Sequence, residues 1–136
     1  MRKMLILARD AGYPMEEKHI AIESMLPPAC LAANSVEEFY QELENNKAYF
    51  EKMKADAAAN NQVLRYIGKL EAGKVTITLQ SVDDSHPFFA LSGSDNIISF
   101  TTDRYKDRPL VIKGPGAGAE VTAAGVFADI INVGKK

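Results

Sequence analysis

One cysteine in 136 residues, Cys30, leaves nothing for an internal disulfide to pair with, and the small apolar residues after it offer no second thiol or histidine. The chain therefore reads as a protein of a reducing compartment, with the cytoplasm expected, and Cys30 reads as a small buried residue. A charge excess is missing too. Sixteen Lys and Arg against 18 Asp and Glu give a net charge of -2, without the basic footprint that nucleic acid or an anionic membrane surface calls for. No apolar run is long enough to cross a bilayer, and Met1-Arg2-Lys3 leads into a segment interrupted by Arg9 and Asp10, unlike a secretory signal. Neither His19 nor His86 has a partner at metal-ligand spacing, so no metal site is expected. There is no internal repeat or low-complexity tract. What is present, 46% hydrophobic and 25% charged residues, suffices for one ordinary core, and one compact domain is expected.

Along the chain, Met4, Leu5, Leu7, Ala8 and Ala11 are spaced for a short helix over residues 2–11, which Gly12 is placed to stop. His19 to Glu23 alternate as a brief strand, and Pro27-Pro28 then turn the chain through a loop. Ser35 and Glu38 form a capping-box pattern ahead of Val36, Phe39, Leu43, Phe50 and Met53, which predicts one long amphipathic helix over about residues 36–58. Residues 63–70 and 75–82 flank Glu71-Ala72-Gly73-Lys74 as a hairpin. There Val75, Ile77 and Leu79 alternate with Thr76, Thr78 and Gln80, leaving one face wet or packed on a partner. Two more strands are expected at 97–101 and 109–113, sharing one sheet with the hairpin and with the long helix packed on it. Val121, Ala124, Phe127, Ala128 and Ile131 give the closing helix, 120–131, an apolar stripe. Strands follow helices instead of alternating with them, so the class is α+β, with helices packed on a mixed or antiparallel sheet.

Few residues suggest chemistry from their type and place alone. Gly114-Pro115-Gly116-Ala117-Gly118-Ala119 lies between a strand and a helix, where glycines let backbone amides approach a ligand and a helix start favours an anion or a carbonyl oxygen. It is not a dinucleotide fingerprint, since no βα unit and no ribose-binding carboxylate follow it. Two readings stay open, a binding loop and a plain tight turn. Lys3 reads as a solvated charge, and His86, before Pro87, as a turn former. Asp83-Asp84 and Asp95-Asn96 read as turn-forming pairs.

Taken in order, Arg2-Lys3-Met4-Leu5-Ile6-Leu7-Ala8-Arg9, His86-Pro87-Phe88, Ser92-Gly93-Ser94-Asp95-Asn96-Ile97 and the run from Gly114 to Asp129 resemble the homoserine dehydrogenase family. The wording of the closing run is similar to that at the end of bifunctional aspartokinase/homoserine dehydrogenases. The resemblance implies reversible reduction of aspartate semialdehyde to homoserine, on the route to threonine and methionine, with hydride supplied by NADH or NADPH. It implies a role for Lys3 as well. The family carries a lysine directly after an arginine in an Asp-Val-Ala-Arg-Lys motif, Arg2-Lys3 match its last two positions, and that lysine transfers the proton at the substrate oxygen. By the same comparison Gly118 is the glycine that approaches the cofactor, Gly116 and Thr122 line the loop, and Glu120 holds a position that varies.

Met1 stands where the family has alanine, and the acidic residues that precede the lysine, the nucleotide-binding domain and any kinase domain fall outside the chain. The resemblance thus implies that residues 1–136 are the carboxy-terminal substrate-binding and catalytic domain, a fragment of a larger α/β dehydrogenase. It is expected to be inactive alone, to hold no cofactor tightly and to form a homodimer through its sheet. Helices laid on an antiparallel sheet also describe small-molecule regulatory modules and dimerisation domains. A sensor, however, gives no reason for a glycine loop at a helix start.

Overall fold

The computed structural model describes residues 1–135. Helix α1 (Arg2–Asp10) places Leu5 and Ala8 three residues apart on one face, and both are buried. Gly12 ends it as expected. Its φ of 88° lets the Gly12 N–H donate to the Arg9 carbonyl (2.9 Å) and the Tyr13 N–H to the Ala8 carbonyl (3.0 Å), the paired bonds of a glycine-terminated helix. A 3₁₀ turn, Glu17–His19, follows, in which the Glu16 N–H donates to His19 Nδ1 at 3.1 Å. His19 therefore closes this turn instead of opening the strand, and β1 is only Ile20–Ile22.

Pro28 does more than forbid pairing: it starts a single helical turn, α2 (Pro28–Leu31), with Cys30 buried on it. Proline suits that first position because the N–H it lacks would have no intrahelical partner there. Ser35 caps α3 (Val36–Asn45) by accepting the Glu38 N–H at 3.1 Å, while the Glu38 carboxylate reaches back to the Asn34 N–H at 2.7 Å.

The single long helix expected from about 36 to 58 is two helices, α3 and α4 (Lys47–Ala59). Asn46 is the reason. Its side-chain amide donates to the Glu42 carbonyl at 2.8 Å, beside the bond from its own N–H to the same oxygen at 3.1 Å. That local bond offers the backbone an alternative to continuing the helix, a competition that apolar periodicity does not register. Helix α4 in turn ends on Asn61, whose φ of 55° gives the same paired closure as at Gly12, with Asn61 N–H on Ala58 O (3.0 Å) and Gln62 N–H on Ala57 O (2.9 Å).

The hairpin forms with the expected centre. Strands β2 (Val63–Glu71) and β3 (Lys74–Val82) pair antiparallel from Val63 opposite Val82 to Glu71 opposite Lys74. The two turn residues, Ala72 and Gly73, both have positive φ, 47° and 74°, the mirror-image turn whose twist matches that of the strands. Strand β1 adds to β3 in parallel, Ile20 opposite Val75, so β3 is central in a mixed sheet of order β1-β3-β2. The core lies where α1 meets this sheet: Leu5, Ala8, Met15, Ile20, Val75 and Ile77, edged by Met4 and Leu70. Each large member contributes about 1.5–3 kcal/mol by leaving water.

Gly68 belongs to this packing. A Cβ there would meet Met4 Cγ and Sδ at 2.6 Å, so the bare backbone of β2 is what allows α1 to lie down with Met4 on it. Gly68→Ala is expected to cost about 1–3 kcal/mol by overpacking, read as a lower thermal midpoint, and Met4→Ala in the same chain should recover part of the loss. Unchanged stability of the single variant would mean that Met4 has another place to go.

The one compact body expected from the length is two units, Met1–Asp84 and the remainder from Ser85. The second contains β4 (Asp95–Phe100), β5 (Leu110–Pro115) and α5 (Ala119–Gly134). Strands β4 and β5 pair antiparallel as a sheet of their own. The expectation that they share the hairpin's sheet is thus overturned, while the α+β class holds. Alternation along a strand reports which residues share a face; it does not say which strand lies alongside.

Candidate functional site

The glycine-rich run begins inside the sheet. Gly114 and Pro115 are the last residues of β5, opposite Asn96 and Asp95 of β4. Pro115 has no N–H to give, and the next donor, the Gly116 N–H, reaches the Ser94 carbonyl at 3.1 Å. Asp95 is tied to the same strand by Lys113, whose ammonium lies 3.4 Å from the carboxylate and 3.5 Å from the Ala90 carbonyl. With both side chains part-exposed, this pair orders the strand ends more than it stabilises them.

Beyond Gly116 the chain turns into α5 through Gly118, whose φ of 137° and ψ of 158° lie in a region that is essentially glycine's own. Gly118 occupies the N-cap position and supplies no side chain to cap the helix. The first intrahelical bond runs from the Thr122 N–H to the Gly118 carbonyl at 3.1 Å. The N–H groups of Ala119, Glu120 and Val121 consequently have no acceptor within the helix, and the positive end of a 16-residue helix dipole gathers at the same place. A Cβ built on Gly118 meets nothing within 4 Å. The loop thus presents uncovered backbone donors on an open side, where an oxygen-bearing ligand can approach.

Gly116, Gly118 and Thr122 are therefore brought together at one strand-to-helix junction. Lys3 belongs to the other unit, exposed in the first turn of α1 and directly before the Met4 that packs on Gly68. His86 does what its place before proline predicts: its Nδ1 accepts the Phe88 N–H at 3.1 Å in a turn, and its ring meets that of Phe88 edge-on. Among the described residues no group of His, Cys, Asp and Glu could hold a metal ion, and no helix is long and apolar enough to cross a membrane.

One site neighbour is misread by sequence reasoning. Asp95-Asn96 is not a turn pair but the start of β4, and a Cβ at Gly116 would collide with the Asn96 carboxamide. The available signal is the placing of residues 92–97 one strand ahead of the glycine run.

Comparison with known proteins puts these elements in a family. The family described as homoserine dehydrogenase matches residues 1–131. The maize chloroplastic bifunctional aspartokinase/homoserine dehydrogenase 2 is 45% identical over 134 residues, covering 97% of this chain and 15% of its own. The homoserine dehydrogenase of Schizosaccharomyces pombe is 44% identical over 97% of this chain and 36% of its own. The crystal structure of a Candida auris protein of unknown function superposes with a TM-score of 0.85 at 43% identity, over 99% of this chain and 38% of that one. The chain thus spans between about a seventh and two fifths of the length of these proteins.

Proposed function

Because the chain belongs to the homoserine dehydrogenase family, we propose that residues 1–136 are the carboxy-terminal substrate-binding and catalytic domain of an enzyme that interconverts aspartate semialdehyde and homoserine. The observation that carries the reading is the family match over residues 1–131, a range that takes in both the Arg2-Lys3 pair and the glycine-rich loop. A nicotinamide cofactor, NADH or NADPH, supplies the hydride when bound. The loop's residues fit that group: Gly118 keeps a side open where a side chain would stand, and the start of α5 offers unbonded N–H groups to an oxygen or phosphate. Gly116 and Thr122 flank that opening.

Lys3 acts on the substrate. During reduction its ammonium donates a proton to the carbonyl oxygen as hydride reaches the carbon, and in the reverse direction its amine takes the proton back. Placement in the first turn of α1 suits this work, since the helix is held to the sheet by Met4, Leu5 and Ala8 while the Lys3 side chain stays exposed. The substrate-anchoring carboxylates and the nucleotide-binding domain lie outside these residues, so the chain by itself holds no cofactor tightly and turns nothing over. A second copy of the complete protein covers the sheet in a homodimer, and the single buried cysteine suits a cytoplasmic setting.

The deciding experiment follows nicotinamide absorbance with aspartate semialdehyde, using the 136-residue chain and the longer polypeptide that carries it, with light scattering on the latter. We expect turnover and a dimer mass from the longer polypeptide and no turnover from the isolated chain. A longer polypeptide inactive with this substrate sinks the reading; an active isolated chain overturns the division of labour.

A further inference from the structure

The segment Ser94-Asp95-Asn96 has no role in the function proposed above, yet Gly114, Pro115 and Gly116 all meet the sheet through it. In the β4–β5 register Asn96 stands opposite Gly114, and Gly116 follows two residues later, just past the end of β5 at Pro115. Asn96 thus lies against glycine at both positions. The Asn96 carboxamide fills the space in which a Gly116 side chain would have to stand. Pro115 between them cannot donate to the ladder, and the Gly116 N–H to Ser94 O bond, 3.1 Å, clamps the chain just past it.

From this geometry we infer that Asn96 is a positioning residue for the cofactor loop: its carboxamide buttresses the backbone at Gly116 and so sets the direction in which Gly118 and the α5 start are presented. The inference rests on the loop's cofactor role proposed above. It changes the reason for glycine at 116, because the space a side chain would need is taken by Asn96 from within the protein, before any ligand arrives. Asn96 itself touches no reacting atom. Removing it loosens the loop's aim, which weakens cofactor binding and leaves the proton-transfer residue alone.

The test is a double-mutant cycle in the longer polypeptide with Asn96→Gly, Gly116→Ala and the pair, reading cofactor KM, kcat and folded content by circular dichroism. Contacting residues couple strongly, whereas independent sites add. We expect Gly116→Ala to raise cofactor KM by about tenfold or more, and Asn96→Gly by severalfold with kcat nearly kept. The double variant should be no worse than Asn96→Gly alone, since the methyl group then has room. If Gly116→Ala fails to fold, recovery of folded protein in the double variant supports the same conclusion. Additive losses, a double variant that also fails to fold, or Asn96→Gly lowering kcat with cofactor KM unchanged would each overturn it. An active parent showing these latter results refutes the role of Asn96 alone; an inactive parent refutes the reading of the loop's function.

Discussion

Lys3→Ala, made in the longer polypeptide, lowers kcat for aspartate semialdehyde by about 10²- to 10⁴-fold, the usual contribution of a positioned proton donor, and leaves cofactor KM nearly unchanged. The separation follows from the work assigned to the residue: a group that acts as charge develops on the substrate oxygen affects the maximal rate, whereas the nicotinamide is held by other elements. Loss of fold is told apart by circular dichroism of the variant: Lys3 is exposed, and a surface substitution typically costs too little stability to account for so large a loss of rate. Lys3→Arg should be nearly as slow, because a guanidinium keeps the charge yet surrenders a proton too reluctantly to shuttle it. Near-normal turnover in the alanine variant would return Lys3 to the plain role of a solvated helix-start lysine.

Gly118→Val tests the cofactor side of the proposed reaction. The native φ of 137° and ψ of 158° cost a residue with a side chain about 1–3 kcal/mol, and a β-branched one most. The strain can be relieved only by turning the loop, which moves the amide donors at the start of α5. Because each 1.4 kcal/mol is a factor of ten, cofactor KM is expected to rise about tenfold to a hundredfold, with a smaller change in kcat. The space beside Gly118 is open, so the effect comes from the backbone and not from a clash. A domain that served only association or regulation would keep its cofactor affinity through this change. Unaltered cofactor KM in a folded Gly118→Val enzyme would leave the loop as a tight turn.

How far these features could be read beforehand depends on the range of the interaction behind each. Local signals carried well: Gly12 ends α1, Ser35 caps α3, the Ala72-Gly73 pair turns the hairpin, and the alternation of Val75 and Ile77 marks their burial against α1. Features set by competition or by distant partners did not. The Asn46 side chain splits a helix that apolar spacing runs straight through. The partners of β4 and β1 depend on which edges meet in three dimensions, and a strand as short as Ile20–Ile22 has no period of its own. The same division holds at the site. Glycine density at a strand-to-helix junction marks the loop from its letters alone. Lys3 has no such mark, and its role enters only through the family resemblance. Asn96 was hidden because its partner, Gly116, lies 20 residues away and has no side chain to signal the contact.

The parallel joining of β1 to β3 has a consequence for the order in which the first unit assembles. Ile20 and Val75 are roughly 55 residues apart in sequence, so bringing them together costs about 3.5 kcal/mol of chain entropy on logarithmic loop-closure scaling. The two-residue hairpin beside them closes within about 1–10 microseconds. Three residues of strand cannot repay the larger closure alone; burial of Ile20 with Leu5 and Ala8 must be gained in the same step. On this arithmetic the amino-terminal segment is expected to be secured late, on a hairpin already formed, and Lys3, proposed above to transfer the proton, is expected to be held in place only once the rest of the unit exists to receive it.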